Sequence, residues 1–225
     1  MEPKSMLLVL AGNSLSLPRP HQIKAFDPAT ERGLAISYTD TYGYLLNLAL
    51  ARQYPEYAVS VQNRSQRGYS ILDVLHQIED HLYYFQPDYL ILHIGIVDCW
   101  YRAELEGRSY VNIQTFTKSC LKLVEHMRRR PETNLLVIGI APTSCKMEER
   151  YPGILQQIAD YNHVLSCIAD HHQIHYVDLA SHISPHDPQQ YLLPDDQHLN
   201  KEGNKLVCQQ LLQVIRSGAG MPKPV

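Results

Sequence analysis

Short, unbroken apolar runs alternate along this chain with longer stretches in which apolar residues return at helical spacing. Met6-Leu7-Leu8-Val9-Leu10-Ala11 is the first run. Six apolar residues without a polar break describe a strand covered on both faces, as in a parallel sheet under helices. Ala58-Val59-Ser60-Val61, Tyr89-Leu90-Ile91-Leu92-His93-Ile94, Leu135-Leu136-Val137-Ile138-Gly139-Ile140 and the weaker His175-Tyr176-Val177-Asp178-Leu179 supply four more. Between them lie the helical patterns. Tyr42, Leu45, Leu46 and Ala49 mark a helix over 41–52. Ser70 and Asp73 form a capping-box start for a second, with Ile71, Leu75, Ile78 and Leu82 on one face. Phe116, Cys120, Leu123 and Met127 mark a third that Pro131 stops. Ile154, Ile158, Tyr161, Leu165 and Ile168 mark a fourth, and Val207, Leu211 and Val214 a last one over 201–216.

Five strands alternating with helices predict an α/β fold with a five-stranded parallel sheet between two helical layers. Right-handed crossovers would complete a flavodoxin-like three-layer α/β/α sandwich. No repeat or linker divides the chain, so one domain is expected over residues 1–216. The Gly-, Pro- and Lys-bearing tail, 217–225, is expected to be disordered.

Composition narrows the function classes. The 225 residues are 44% hydrophobic and 19% charged, with net charge -3, so a nucleic-acid footprint is not expected. The basic run Arg128-Arg129-Arg130 precedes Pro131 and reads as cations at a helix C-terminus. No apolar run reaches membrane-span length, and the first run is too short for a secretory signal core. Five cysteines, at 99, 120, 145, 167 and 208, show neither paired nor metal-like spacing. That pattern predicts a reducing, cytoplasmic setting. His171-His172-Gln173-Ile174-His175 lacks nearby acidic partners and is read as solvated histidines, so no metal is expected.

The candidate chemistry begins where the first strand ends. Gly12-Asn13-Ser14-Leu15-Ser16 places a serine just past the carboxyl end of a central strand, where open α/β sheets bind ligands. A long connection through Pro18, Pro20 and Pro28 follows, of a length expected to be functional or mobile. Gly68 lies in the loop after the second strand, Gly95-Ile96-Val97-Asp98 follows the third, and Asp195-Asp196-Gln197-His198 precedes the last helix. In this order the blocks resemble the SGNH/GDSL family of serine hydrolases. Two positions depart from its pattern. Asn13 stands where the name-giving motif has Asp, and Val97 where the third block has an oxyanion-binding Asn.

A serine hydroxyl needs a base to become a nucleophile, and a neutral imidazole suits that task near neutral pH. The resemblance implies Ser14 as nucleophile, His198 as base and Asp195 as the carboxylate that orients it. It also implies an oxyanion hole from the backbone N–H groups of Ser14 and Gly68. Because valine cannot donate a hydrogen bond, slow turnover of simple esters is expected, with Arg67 and Asn13 the first replacement donors to consider. Asp196 is expected to cap the final helix. Cys99 reads as a buried thiol, because no base is placed for it in sequence. Asn13, Asp98, Trp100, Tyr101 and Arg102 are candidate substrate contacts. The implied activity is hydrolysis of an acyl ester, such as an O-acetylated sugar or a small acylated metabolite, through an acyl-enzyme and without a cofactor. Acyl transfer to an alcohol by the same residues, and a non-catalytic glycan- or ligand-binding relative, are the alternatives.

Overall fold

The computed structural model describes residues 4–19, 36–102 (the side chain of Arg102 excepted) and 105–217. Pro20 and Pro28 of the long connection, and the tail beyond Ser217, lie outside the described residues. Five strands form one parallel sheet: β1 (Lys4–Gly12), β2 (Tyr57–Asn63), β3 (Tyr89–His93), β6 (Asn134–Ile138) and β7 (His175–Val177). Their order across the sheet is β2-β1-β3-β6-β7, the flavodoxin-like arrangement that the sequence predicts. A two-residue antiparallel ribbon, β4 (Tyr101–Arg102) with β5 (Arg108–Ser109), stands apart from it.

The central strands are apolar through their middles because both faces are covered. All of Tyr89–His93 is buried. Side chains alternate across a strand, so β1 feeds two cores. Val9 and Ala11 join Val74, Leu92, Phe116 and Leu165 on one face. Leu8 and Leu10 meet Leu46, Ile91, Val207 and Leu211 on the other. Truncating a residue as deeply packed as Leu10 to alanine costs about 2–5 kcal/mol.

Among the described residues seven α-helices surround the sheet: α1 (Tyr42–Gln53), α2 (Ile71–His76), α3 (Ile96–Cys99), α4 (Ile113–Arg128), α5 (Cys145–Arg150), α6 (Ile154–His172) and α7 (Lys201–Ser217). The expected helix after Ser70 is α2 followed by a π-helical stretch, Asp80–Tyr84. Its buried positions are Ile71, Val74, Ile78 and Leu82, while Leu75 is only half-buried. Leu50 rather than Ala49 completes the inner face of α1, and Ile215 rather than Val214 that of α7. Helix α5 and the β4–β5 ribbon were not expected, being too short and too polar to show a period. Among the described residues no helix is long and apolar enough to cross a membrane.

Candidate active site

At Gly12, β1 runs so close to β3 that any Cβ would collide with the backbone carbonyl of His93. Only glycine permits that approach. The chain then leaves the sheet. The Asn13 amide donates to the His93 carbonyl at 3.3 Å, and the Asn13 side chain turns back to accept the Leu15 amide at 3.1 Å. This caps a single 3-10 turn, Ser14–Ser16. Ser14 is thereby presented at the carboxyl end of the sheet, half-buried, while its neighbours Leu15 and Ser16 point inward.

Three layers of hydrogen bonds hold this turn. Beneath it, Ser16 Oγ meets the Tyr42 hydroxyl at 2.5 Å, which in turn meets His93 Nδ1 at 3.2 Å. Burial pushes the His93 imidazole down to about 3, so the ring is neutral. Beside it, the amides of Arg64 and Gln66 donate to the carbonyls of Leu10 and Gly12 at 2.9 and 3.0 Å. The Asn63 side chain donates to the Ser16 carbonyl at 2.7 Å. Further along the same loop, Arg67 Nη2 donates to the Pro18 carbonyl at 3.1 Å. The loop that carries Gly68 is therefore fastened to the loop that carries Ser14.

The other half of the site precedes α7. Asp195 Oδ1 accepts the backbone amides of Gln197 and His198 at 3.1 and 3.0 Å, a tight turn closed by its own side chain. His198 Nδ1 lies 2.8 Å from Asp195 Oδ2, and His198 Nε2 lies 2.9 Å from Ser14 Oγ. Burial would raise the Asp195 carboxyl, but the hydrogen bond and charge of His198 and the two amides outweigh it, drawing the group down to about 2. An ionised Asp195 takes its hydrogen bond from Nδ1–H, which leaves Nε2 as an acceptor facing the serine. Among residues 184 positions apart in sequence, this is the arrangement a general base and nucleophile require.

Arg19 was not anticipated. Its Nη2 donates to Asp195 Oδ2 at 2.9 Å and its Nη1 lies 3.2 Å from His198 Nε2. The contact spans 176 positions and follows no motif, so no local signal marks it. The nearest hint is its place in the proline-bearing connection after Ser14.

A cavity of about 160 Å³ opens in front of the serine, lined by Ser14, Leu15, Ile96, Val97, Trp100, Gln197 and His198. Leu15, Gln197 and Ile96 are wall residues that the sequence reading did not single out. Val97 contributes apolar wall. Trp100 is 9% exposed and packs edge-on against Tyr151, with ring centroids 5.5 Å apart. Tyr101 faces a neighbouring depression with Leu105 and Tyr110, and the Arg102 side chain lies outside the described residues. Gly68 is exposed with φ +77°, in the adjoining loop, and is not part of the cavity wall.

Three expectations need correction. Asn13 is wholly buried and spends its oxygen on the Leu15 amide, so it does not contact substrate. Asp98 is equally buried, and its Oδ1 accepts the Ile71 amide at the start of α2 at 2.9 Å. Burial, against the backbone hydrogen bonds it accepts, lifts its carboxyl to about 7. Asp196 does not cap α7: Asn200 does, accepting the Gly203 amide at 2.9 Å. Asp196 instead accepts Ser144 Oγ and Gln189 Nε2, both at 2.7 Å. Cys99 is fully buried, and burial raises its thiol far above the usual range. Among the described residues no three His, Cys, Asp or Glu side chains gather as a metal site.

Solved structures share the fold. Axe2, an acetylxylan esterase from Geobacillus stearothermophilus, superposes with a TM-score of 0.70 at 18% identity, covering 99% of this chain and 98% of its own. A lipase/acylhydrolase from Enterococcus faecalis gives 0.68 at 15% identity, covering 93% and 95%. TesA gives 0.65 at 16% identity, covering 94% and 98%. No curated protein matches the sequence. The model of the GDSL-like lipase/acylhydrolase family matches residues 28–206, which takes in Gly68, the third block and Asp195–His198 and begins after the Ser14 turn. The chain belongs to the GDSL-like lipase/acylhydrolase family.

Proposed function

We propose that the protein is a serine-dependent carboxylic ester hydrolase that handles short acyl groups, by way of an acyl-enzyme on Ser14. The observation that carries this reading is the continuous pair of hydrogen bonds from Ser14 Oγ to His198 Nε2 and from His198 Nδ1 to Asp195 Oδ2. Ser14 Oγ attacks the ester carbonyl carbon while its proton passes to Nε2. The tetrahedral intermediate collapses, and the departing alkoxide takes that proton as it leaves as an alcohol. Water then repeats the sequence on the acyl-enzyme and releases the carboxylic acid. Asp195, held ionised, stabilises the imidazolium that forms at each step.

The oxyanion develops beside the Ser14 turn, and the family resemblance implies the backbone N–H groups of Ser14 and of Gly68, in the adjoining loop, as its donors. Val97 adds none, and one missing donor costs about 10²–10³ in kcat. Its side chain instead joins Leu15, Ile96 and Trp100 in an apolar wall suited to an acyl chain. The cavity volume sets a size limit. A space of about 150 Å³ holds a molecule the size of benzene, so the cavity favours acetyl to short branched acyl groups over long lipid chains. Two structural neighbours are acetylxylan esterases, and an acetylated saccharide is a substrate of the right acyl size.

The test is turnover of 4-nitrophenyl acetate against the butyrate and decanoate esters. The acetate and butyrate should be hydrolysed and the decanoate poorly. Equal or better hydrolysis of the decanoate would contradict the acyl limit, and no hydrolysis of any ester would contradict the activity.

A further inference from the structure

Two arginines stand beside this site, outside the cavity wall, and among the described residues only Asp195 pairs with either of them. Arg19 is paired with Asp195, whose Oδ2 it shares with His198 Nδ1. Arg67 makes no ion pair among the described residues. Its Nη2 is spent on the Pro18 carbonyl, while its Nη1 is buried without a hydrogen-bond partner. Burial, and then the charge of Arg19, press the Arg67 guanidinium below its ordinary value. A buried guanidinium nitrogen left without an acceptor is costly, and it calls for a partner such as an ordered water, an ion or a ligand.

The Arg19 contact with the base is equally telling. Nε2 of a neutral imidazole has one lone pair, and here both Ser14 Oγ–H and Arg19 Nη1–H approach it, at 2.9 and 3.2 Å. Once Nε2 receives the serine proton it becomes a donor carrying positive charge. The Arg19 N–H would then face another N–H, and two cations would stand in contact. Arg19 must therefore leave Nε2 in every catalytic cycle, and an incoming anion gives its guanidinium somewhere to go.

We propose that Arg19 and Arg67 together form a receptor for an oxyanion group, a carboxylate or a phosphate, carried by the ester substrate beside its scissile bond, with Arg19 serving as a latch on His198 that this anion releases. The proposal rests on the serine-hydrolase reading of the same site and names the substrate class within it. Arginine's planar fork suits both anions, because two parallel N–H donors match two oxygens. The resting clamp suppresses turnover of neutral esters, and it gives a second reason, besides Val97, for slow hydrolysis of simple substrates.

The test compares 4-acetoxybenzoate and 4-acetoxyphenyl phosphate with neutral methyl 4-acetoxybenzoate, using the full chain and its Arg19→Gln, Arg19→Lys and Arg67→Gln variants. The parent should favour at least one anionic ester. That preference in kcat/KM should fall at least about tenfold in Arg19→Gln, equivalent to about 1.4 kcal/mol, and should fall in Arg67→Gln as well. For the neutral ester, kcat should rise in Arg19→Gln as the latch is lost, with Arg19→Lys between the two. Whether carboxylate or phosphate is preferred identifies the anion. An equal fall on all three esters in Arg19→Gln would mean that Arg19 only braces Asp195, and would overturn the proposal.

Titration calorimetry with benzoate and inorganic phosphate on the parent and on Ser14→Ala reads recognition without chemistry. Binding that weakens in Arg19→Gln and Arg67→Gln supports the receptor even if no ester is turned over, in which case the hydrolase reading alone fails. Turnover of the neutral ester with no binding of either anion and no anionic preference sinks the receptor alone.

Discussion

Each end of the sheet holds a hollow, and the smaller one is where Ser14, His198 and Asp195 meet. At the amino end a basin of about 600 Å³ lies over the starts of β6 and β7, with Arg128, Asn134, His171, His172 and His175 in its wall. Arg128 and His172 meet there at 3.3 Å. Burial, then the charges of His171 and Arg128, lower the His172 imidazole, and among the described residues no acid lines the basin to polarise it. At the carboxyl end the cavity is about 160 Å³, yet its serine, histidine and aspartate form one unbroken hydrogen-bonded line. Residue type and volume favour the amino end. Partner geometry favours the carboxyl end, and catalysis follows partner geometry.

The sharpest way to break that comparison is to sever the line while keeping its shape. Asp195→Asn leaves a hydrogen-bonding side chain but favours the wrong imidazole tautomer, and a loss of about 10⁴ in kcat is expected. Asp196→Asn should leave kcat close to the parent's, because its partners Ser144 and Gln189 are structural, and lower the melting temperature instead. Histidine replacements in the basin, such as His172→Ala, should leave turnover unchanged. Steady-state kinetics on 4-nitrophenyl acetate checks all three, and a reversed ranking of the two aspartates would mean that the orienting carboxylate is misassigned.

Val97→Asn sharpens the comparison from the other side, by adding a donor where valine supplies none. A well-placed amide should raise kcat on the same ester by up to about 10². An unchanged kcat in a folded Val97→Asn protein would show that a donor already fills that place.

Asp98 offers a smaller effect and a control for charge at this same end of the sheet. Its folded pKa of about 7 lies above the ordinary 3.8, so the native state binds a proton that the unfolded chain has released. Stability from this group is then greatest at low pH and declines as pH rises through 7. His81 and His93, held neutral by burial, bend the parent's profile the opposite way below their ordinary 6.5. The difference between parent and Asp98→Asn isolates Asp98. Asp98→Asn should gain in melting temperature relative to the parent on going from pH 5 to pH 8. A difference independent of pH would show that Asp98 is ionised throughout.

The contrast also explains what the sequence could and could not reveal. Buried strands announce themselves as apolar runs, so β1, β3 and β6 were legible, and the last helix was found within a residue of its end. That Ser14, Asp195 and His198 come together was legible because each follows a strand or precedes a helix in a recognisable block. Asp98 was misread because its position in a block says nothing about the direction its carboxyl faces. Asp196 was misread because Asn200, one turn closer to α7, takes the cap. Arg19 left no trace in the sequence, since its partners lie 176 and 179 positions away and its own surroundings show no period.

The central claim is that Ser14 is activated by the line through His198 to Asp195. The most direct measurement is labelling of the folded protein with a fluorophosphonate, followed by peptide mass mapping. The account predicts a single adduct on Ser14, absent from Ser14→Ala and formed far more slowly in His198→Ala, with circular dichroism showing both variants folded. An adduct on another residue, or labelling of Ser14 at the same rate without His198, would contradict it.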